Sequence, residues 1–225
     1  MTPRKRNKKG EGAMLRNELI DAAMRILDRA PATVLSLRMV AREAGVAAPS
    51  VYPHFTDGQA MMSEIVRECW RQMAAAMALA ADQVDDGDAF ARLKAKMGAF
   101  VQYAMERPSR YQLLFAMQPL DPEDPGQMDG YIRPVYRQVT DTLEDHVREG
   151  GVLPADDLLE SALMVISLAH GRIALAHLAP IREGNSPPHV EAFVLDMLDR
   201  IFRTQEPKTP RSKHPRTRKA AKVCS

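Results

Sequence analysis

Apolar side chains recur every three or four residues along most of this chain. From Ala13 to Ala30 this period predicts an amphipathic helix, which ends at Pro31. No alternating strand pattern of useful length occurs, so the chain is predicted to be all-α, with about nine helices. The eight later helical segments are 37–44, a short helix starting near 48, 59–82, 89–106, 109–117, 131–149, 156–178 and 188–203.

The second and third predicted helices are short and are joined by a glycine turn. Ser36 is a good N-cap for the second helix, and Gly45 ends that helix and permits a sharp turn. The third helix begins near Pro49, whose missing N–H costs nothing in a first turn. Together with the helix before them, these segments form a helix-turn-helix pattern, which is typical of DNA-binding proteins.

The motif divides into a buried side and an exposed side. Arg38 and Arg42 are four residues apart and lie opposite the apolar stripe of the second helix. Small residues at the start of the third helix allow close approach to a major groove, and serine and tyrosine hydroxyls can donate hydrogen bonds to phosphates. The residues predicted to be buried are Leu37, Val40, Ala41, Ala44, Val46, Val51 and Phe55.

The segment 36–55 resembles the DNA-binding signature of the tetracycline-repressor (TetR) family. The resemblance covers about residues 13–75, and it implies a transcriptional regulator that binds DNA through this motif. The matching positions are Arg38, Ala41, Ala44-Gly45-Val46, Tyr52 and His54-Phe55.

The resemblance also implies roles for single residues. It makes Arg38 a base-reading residue, and it places Ser50, Tyr52 and His54 against phosphate or the groove floor. From the residues alone, two alternatives stay open: Arg38 is a solvated surface charge, and Tyr52 or His54 serves mainly in packing. The full set expected to contact DNA is Arg38, Arg42, Ala48, Pro49, Ser50, Tyr52, Pro53 and His54.

Three positions depart from the family pattern. Ala47 stands where the family usually has serine, and the loss of that N-cap should cost about 1 kcal/mol of local helix stability. Gly58 stands where the family often has lysine, so one phosphate contact is missing. Pro53 removes a backbone hydrogen bond and disfavours helical geometry at Tyr52. These changes predict a short or kinked recognition helix.

Charge is distributed unevenly along the chain. Residues 1–16 carry +5 and residues 203–225 carry +7, which leaves −10 on the remainder of a chain whose net charge is +2. Basic ends on an acidic body indicate that the ends meet a polyanion, although they also serve solubility. We predict four parts: a disordered basic arm (1–12), the DNA-binding domain (13–75), a helical ligand-binding and dimerisation domain (76–205) and a disordered basic tail (206–225).

The second predicted domain resembles the WHG-type C-terminal domain of one TetR subgroup. The resemblance lies in the segment 108–115 and in His170-Gly171, with Ile166 in place of the tryptophan that names the domain. The fourteen methionines of the chain suit an adaptable apolar cavity, and they suit an ordinary core equally. A core histidine is likewise the alternative for His170. The residues expected to line a pocket for a small apolar ligand are Tyr103, Met105, Phe115, Met164 and His170.

Several other classes of protein are not supported. The two cysteines form no CxxC motif, and the basic N-terminus leads into Glu11 rather than an apolar core, so we expect a cytoplasmic protein without a signal peptide. The most apolar stretch, 161–171, is shorter than the roughly 20 residues of a membrane span, which argues against a membrane partner. P-loop, GxGxxG, HExxH and GxSxG motifs are absent, so we expect no enzyme, metal or cofactor.

The leading hypothesis is a ligand-responsive homodimeric repressor that binds a near-palindromic double-stranded DNA operator. The alternative is an architectural protein that binds DNA through its basic tails without sequence preference. The dimer is expected to form through the last two helices, 156–178 and 188–203. Their apolar surfaces are Leu159, Leu163, Ile166 and Ile173 on one helix, and Phe193, Met197 and Ile201 on the other.

Deletion of residues 206–225 should separate the role of the tail from that of the motif. We expect lower affinity for non-specific DNA and a flatter salt dependence, because fewer counterions are released from phosphates. Preference for the operator should persist, since the tail reads no bases. Binding titrations of both proteins at several salt concentrations measure this, and an unchanged salt slope would reduce the tail to a solubilising segment.

Overall fold

The computed structural model describes residues 11–116, 126–180 and 182–203, and this part of the chain is entirely helical. It contains eight α-helices rather than nine, because the third predicted helix is only a short 3-10 turn at Ala48–Ser50. A second 3-10 turn lies at Ala32–Val34. The helices are α1 (Glu11–Leu27), α2 (Leu37–Glu43), α3 (Gly58–Ala81), α4 (Ala89–Glu106), α5 (Pro108–Ala116), α6 (Gly126–Arg148), α7 (Leu158–Leu178) and α8 (Pro187–Arg203).

The predicted basic tail lies outside the described residues, and so does the predicted basic arm apart from residues 11 and 12, which begin α1. The predicted boundary between residues 75 and 76 falls inside the 24-residue helix α3. This helix therefore runs through both predicted domains without a break.

Side-chain caps fix the beginnings of four helices. Ser36, Asp57, Asp88 and Asp157 precede α2, α3, α4 and α7, and each accepts a hydrogen bond from the backbone N–H three residues later. The three aspartates do so at 2.7–2.8 Å and Ser36 at 3.3 Å. Such a cap stabilises a helix by about 1 kcal/mol and also suits the positive end of the helix dipole when it is a carboxylate.

The core is organised around α3 and α4. Helix α3 packs against α1 at its start and against α4 and α6 further along, and α4 also packs against α6, α7 and α8. Buried apolar residues from all eight helices form one continuous cluster. Because α3 contributes to both ends of this cluster, the DNA-binding motif and the larger helical body share one core.

Arg110 on α5 joins these two regions through polar contacts. Only 8% of this residue is exposed, and its guanidinium donates to the Asp28 carboxylate at 2.6 Å, just beyond the end of α1. It also donates to the Met24 backbone carbonyl at 3.3 Å and to the Gln72 side chain of α3 at 3.0 Å. A buried cation is tolerated only when such partners replace its water. The position of α5 is thereby tied to those of α1 and α3.

Helix α7 is longer than the apolar stretch 161–171 indicated. Among the described residues it is the one helix that is long and apolar enough, by length and composition, to cross a membrane. The structure gives this composition another explanation, because one side of α7 enters the core and another carries exposed leucines. Ile166 and Ile173, which we expected at the dimer surface, are buried in the core of their own chain. Leu159 and Leu163 are exposed as expected.

Candidate DNA interface and ligand cavity

A glycine turn ends α2 and reverses the chain. Gly45 has a φ of 70°, in the left-handed region that favours glycine. The Val46 N–H donates to the Ala41 carbonyl at 2.9 Å, and the Gly45 N–H donates to the Arg42 carbonyl at 3.2 Å. These two bonds are the Schellman pattern, which satisfies carbonyls that a helix end leaves without partners. The turn brings the next segment alongside α2.

The segment that follows is shorter than a recognition helix. It forms one 3-10 turn and then hydrogen-bonded turns, with the Val51 N–H donating to the Ala48 carbonyl at 3.1 Å and the His54 N–H to the Val51 carbonyl at 2.9 Å. Ala47 provides no side-chain cap, and Pro53 has no N–H to continue a helix. The expectation of a short or kinked recognition segment is therefore met in this geometry.

Two buried side chains anchor this segment, and its other side faces outward. Val51 and Phe55 are almost completely buried, at 0% and 2% exposure. Tyr52 is 54% exposed, so it is not primarily a packing residue. Of the remaining residues expected to contact DNA, Arg38, Arg42, Pro49 and Pro53 are exposed, and Ala48, Ser50 and His54 are partly exposed.

Ion pairing distinguishes the arginines in and around the helix-turn-helix motif. Glu43 at the end of α2 accepts from Arg29 at 2.6 Å and from Arg25 at 3.2 Å, and these hydrogen bonds lower the pKa of its carboxyl. Arg38 and Arg42 have no ion pair with any described residue. They keep an uncompensated positive charge on the exposed face of α2, which is the charge that attracts a phosphate backbone.

The larger body contains a cavity of about 400 Å³ between α5 and α7. Of the five residues predicted to line a pocket, Phe115 and His170 meet there. Tyr103 lines a different cavity between α3 and α4. Met105 packs against the core, and Met164 is exposed on α7, so neither lines either cavity. Among the described residues, the first cavity is lined by Tyr111, Gln112, Phe115, His170, Ala174, His177 and Leu178.

Burial disfavours charge on the titratable side chains of this cavity. The Tyr111 hydroxyl lies 2.8 Å from His170 Nδ1. Burial raises the pKa of Tyr111 and lowers the pKa of His170 and of His177. Burial therefore favours the phenol form of the tyrosine and the neutral imidazole form of both histidines.

Sequence reasoning missed five of the lining residues, although the spacing contained a signal for them. His170, Ala174 and His177 are separated by four and three residues, so they share one face of α7. Tyr111 and Phe115 share one face of α5 in the same way. Two histidines seven residues apart on a mostly apolar helix were the detectable sign of this cavity.

Two models of known families match the chain. Residues 19–68 match the model for "Bacterial regulatory proteins, tetR family", and residues 93–201 match "Tetracyclin repressor-like, C-terminal domain". Together these ranges cover more than half of the sequence. This chain belongs to the TetR family. The protein is thus a TetR-family transcriptional regulator with a helix-turn-helix for binding DNA, while the WHG subgroup stays a prediction.

Solved structures share the fold. A protein of unknown function from Rhodococcus sp. RHA1 is 23% identical, with a TM-score of 0.71 over 91% of this chain and 98% of that one. The regulator FadR from Bacillus subtilis, in complex with stearoyl-CoA, is 12% identical with a TM-score of 0.66 over 83% and 97%. PfmR from Thermus thermophilus is 19% identical with a TM-score of 0.60 over 84% and 98%. No curated protein matches the sequence significantly.

Replacement of Arg38 should test the exposed face of α2. We expect Arg38→Ala to weaken binding to a selected operator by about 1–3 kcal/mol, since a bidentate contact from arginine to a base is lost. Binding to a scrambled duplex should weaken less. Titrations of both duplexes measure the difference.

Arg137→Ala is the matched control, because Arg137 is exposed on α6 and its side chain has no ion pair with the described residues. It should leave both affinities unchanged. Equal losses on operator and scrambled DNA in Arg38→Ala would instead make Arg38 a phosphate contact.

Proposed function

We propose that this TetR-family protein is a homodimeric repressor whose affinity for a near-palindromic operator is controlled by a small ligand. The observation that carries the proposal is the position of Arg110 between the DNA-binding motif and the cavity. Its neighbour in sequence, Tyr111, lines the cavity, while Arg110 itself contacts Asp28 and Gln72. One short helix therefore connects the binding of a ligand to the position of α1.

The ligand response follows from differential affinity. A molecule in the cavity affects DNA binding only if it binds one arrangement of α5 more tightly than the other. Displacement of α5 weakens the contacts of a buried guanidinium, so the two arrangements differ in energy. FadR from Bacillus subtilis, which has a similar fold, was solved in complex with stearoyl-CoA, and this supports a small-molecule ligand for the present protein.

A dimer supplies the second half of the operator contact. The outer side of α7 presents Leu159, Leu163, Leu175 and Leu178 at helical spacing, and all four are exposed in a single chain. Gly171 lies among them, with open space where a side chain would be. A leucine-rich helix with a small central residue can pack closely against its symmetry mate. Two recognition segments related by a two-fold axis then match a near-palindrome.

We place the protein in the cytoplasm, because a regulator of bacterial transcription acts where the DNA is.

An architectural role for the basic tails is the alternative function, and the +7 charge of residues 203–225 favours it. Selection of bound sequences from a random DNA pool separates the two, because an architectural protein would enrich no near-palindromic site.

Introduction of a charge on the outer side of α7 should dissociate the dimer. We expect Leu163→Asp to sediment as a folded monomer at micromolar concentration, since each copy would bury an unpaired carboxylate in the interface. Leu79→Asp is the matched control, because Leu79 is an exposed leucine on α3 away from this surface. The control should remain dimeric, and a dimeric Leu163→Asp protein would contradict an interface through α7.

The coupling role of Arg110 can be tested without knowledge of the ligand. We expect Ala174→Phe, which fills the cavity, to change operator affinity by a factor of about 5–150, the usual range of allosteric coupling. In the background of Arg110→Met this change should disappear, because the connection to Asp28 is absent. The four proteins form a double-mutant cycle on the operator.

Ala99→Phe is the matched control, since Ala99 lines the second cavity. It should leave operator affinity unchanged. Melting temperatures confirm that each variant is folded. An undiminished effect of Ala174→Phe in the Arg110→Met background would show that coupling takes another route.

A further inference from the structure

The exposed surface of the recognition segment, residues 47–55, has a chemical character that narrows the bases it selects. We propose that this segment recognises thymine, through contacts of the Pro49 and Pro53 rings with the 5-methyl group of that base in the major groove. The inference rests on the operator binding proposed above, and it adds the class of base that the segment selects. It follows from the exposed side chains, the backbone hydrogen bonds and the orientation of the two prolines.

Most of the side chains that this segment exposes carry only carbon. Four of its residues are exposed, and three of these have no side-chain nitrogen or oxygen: Ala47, Pro49 and Pro53. The fourth is Tyr52, whose hydroxyl is the one polar side-chain group among the four. Ser50 and His54 are only partly exposed. The surface that the segment presents outward is therefore largely apolar.

The backbone of the segment offers few free hydrogen-bond donors. Pro49 and Pro53 have no N–H. Four further N–H groups already donate to carbonyls of the same segment at 2.9–3.1 Å, and they belong to Ser50, Val51, His54 and Phe55. Recognition of base edges by main-chain donors is therefore restricted here, and the carbon surface of the segment remains available for contact.

The two proline rings lie on the side of the segment that faces away from the core. Val51 and Phe55 point inward, at 0% and 2% exposure, and each follows a proline by two residues. Residues two apart in a helical turn point in roughly opposite directions, since a turn contains about 3.0–3.6 residues. Pro49 and Pro53 are exposed in agreement with this geometry. Because they are four residues apart, they lie on the same side of the segment.

Thymine is the base whose major-groove edge matches such a surface. Its 5-methyl group is the one methyl group that the four bases present there, and it packs against apolar side chains. A G·C pair presents only hydrogen-bonding groups, and a proline ring that displaces their water supplies no replacement. A carbon surface therefore gains free energy when it buries the methyl group of thymine and loses free energy when it covers a G·C pair.

The arginines of α2 supply the polar contacts that the prolines lack. Arg38 and Arg42 are exposed and lie on the helix that precedes the Gly45 turn. A guanidinium suits phosphates and the acceptors of guanine. Polar and apolar contacts thus come from the two successive elements of one motif. A half-site read in this way has thymine at the positions that face the prolines.

Replacement of thymine by deoxyuridine tests the proposal, because it removes the methyl group and keeps the base pair. The near-palindromic site that the wild-type protein selects from a random pool is synthesised with each thymine exchanged in turn, symmetrically in both half-sites. We expect at least one exchange to weaken binding by about fourfold per methyl group, the effect of exposing one such group. Binding within about twofold of the thymine duplex at every position, or a selected site without thymine, would overturn the proposal.

Two variants assign the contact to the prolines. Pro49→Ser and Pro53→Ser each remove one ring, so the affinity ratio between thymine and deoxyuridine duplexes should fall to about one at the thymine that faces that ring. A general loss of affinity affects both duplexes alike and cancels in the ratio, and titration at low salt keeps weak complexes measurable. Ratios that stay at the wild-type value in both variants would overturn the assignment.

Pro188→Ser is the matched control, because Pro188 is an exposed proline near the start of α8, which packs against α4 and α7. Its affinity ratios should equal those of the wild-type protein. Melting temperatures confirm that each variant is folded.

The outcomes separate this proposal from the proposed function. A random pool that enriches no site would contradict operator binding, and with it this inference. An enriched near-palindromic site whose deoxyuridine duplexes bind like the thymine duplex would leave operator binding intact and contradict the recognition of thymine.

Discussion

A buried guanidinium constrains how the two parts of this molecule are arranged. Arg110 is almost fully removed from water, and its charge is balanced by Asp28 together with a carbonyl and an amide from α1 and α3. Loss of the carboxylate partner would leave the buried guanidinium without this charge balance, which is unfavourable. The arrangement therefore resists gradual displacement of α5 against α1. It favours discrete positions, which is the property that a regulated DNA-binding protein requires.

Most of the DNA-binding motif could be predicted from the sequence because its determinants are local. Ser36 caps α2, Gly45 adopts the left-handed turn, and Pro53 interrupts the recognition segment within a few residues of where each acts. The cavity could be predicted only in part. Phe115 and His170 meet across two helices that are distant in sequence, whereas Met105 and Met164 lie on faces that composition does not distinguish. Spacing along one helix gives a face, but the packing of helices decides which faces enclose space.

Helix α7 also shows that sequence alone does not tell which side of a helix is buried. Its apolar residues pack into the core on one side and stay exposed on another, so the total apolar content of the helix overstates the apolar surface that one chain buries. The prediction that Ile166 and Ile173 lie on the outer surface is wrong because apolar content alone treats these residues and the leucines of α7 alike. Only the direction of each side chain around the axis separates residues that hold a chain together from residues available to a second copy.

The two prolines of the recognition segment have a consequence for the thermodynamics of DNA binding. Pro49 and Pro53 restrict backbone rotation before DNA arrives, and Val51 and Phe55 hold the segment against the core. Little chain entropy then remains to be lost on docking. Segments that fold on binding show a large negative heat-capacity change, because they bury their own apolar surface as they order. A preformed segment lacks that contribution, so its heat-capacity change should reflect only the surface buried between protein and DNA.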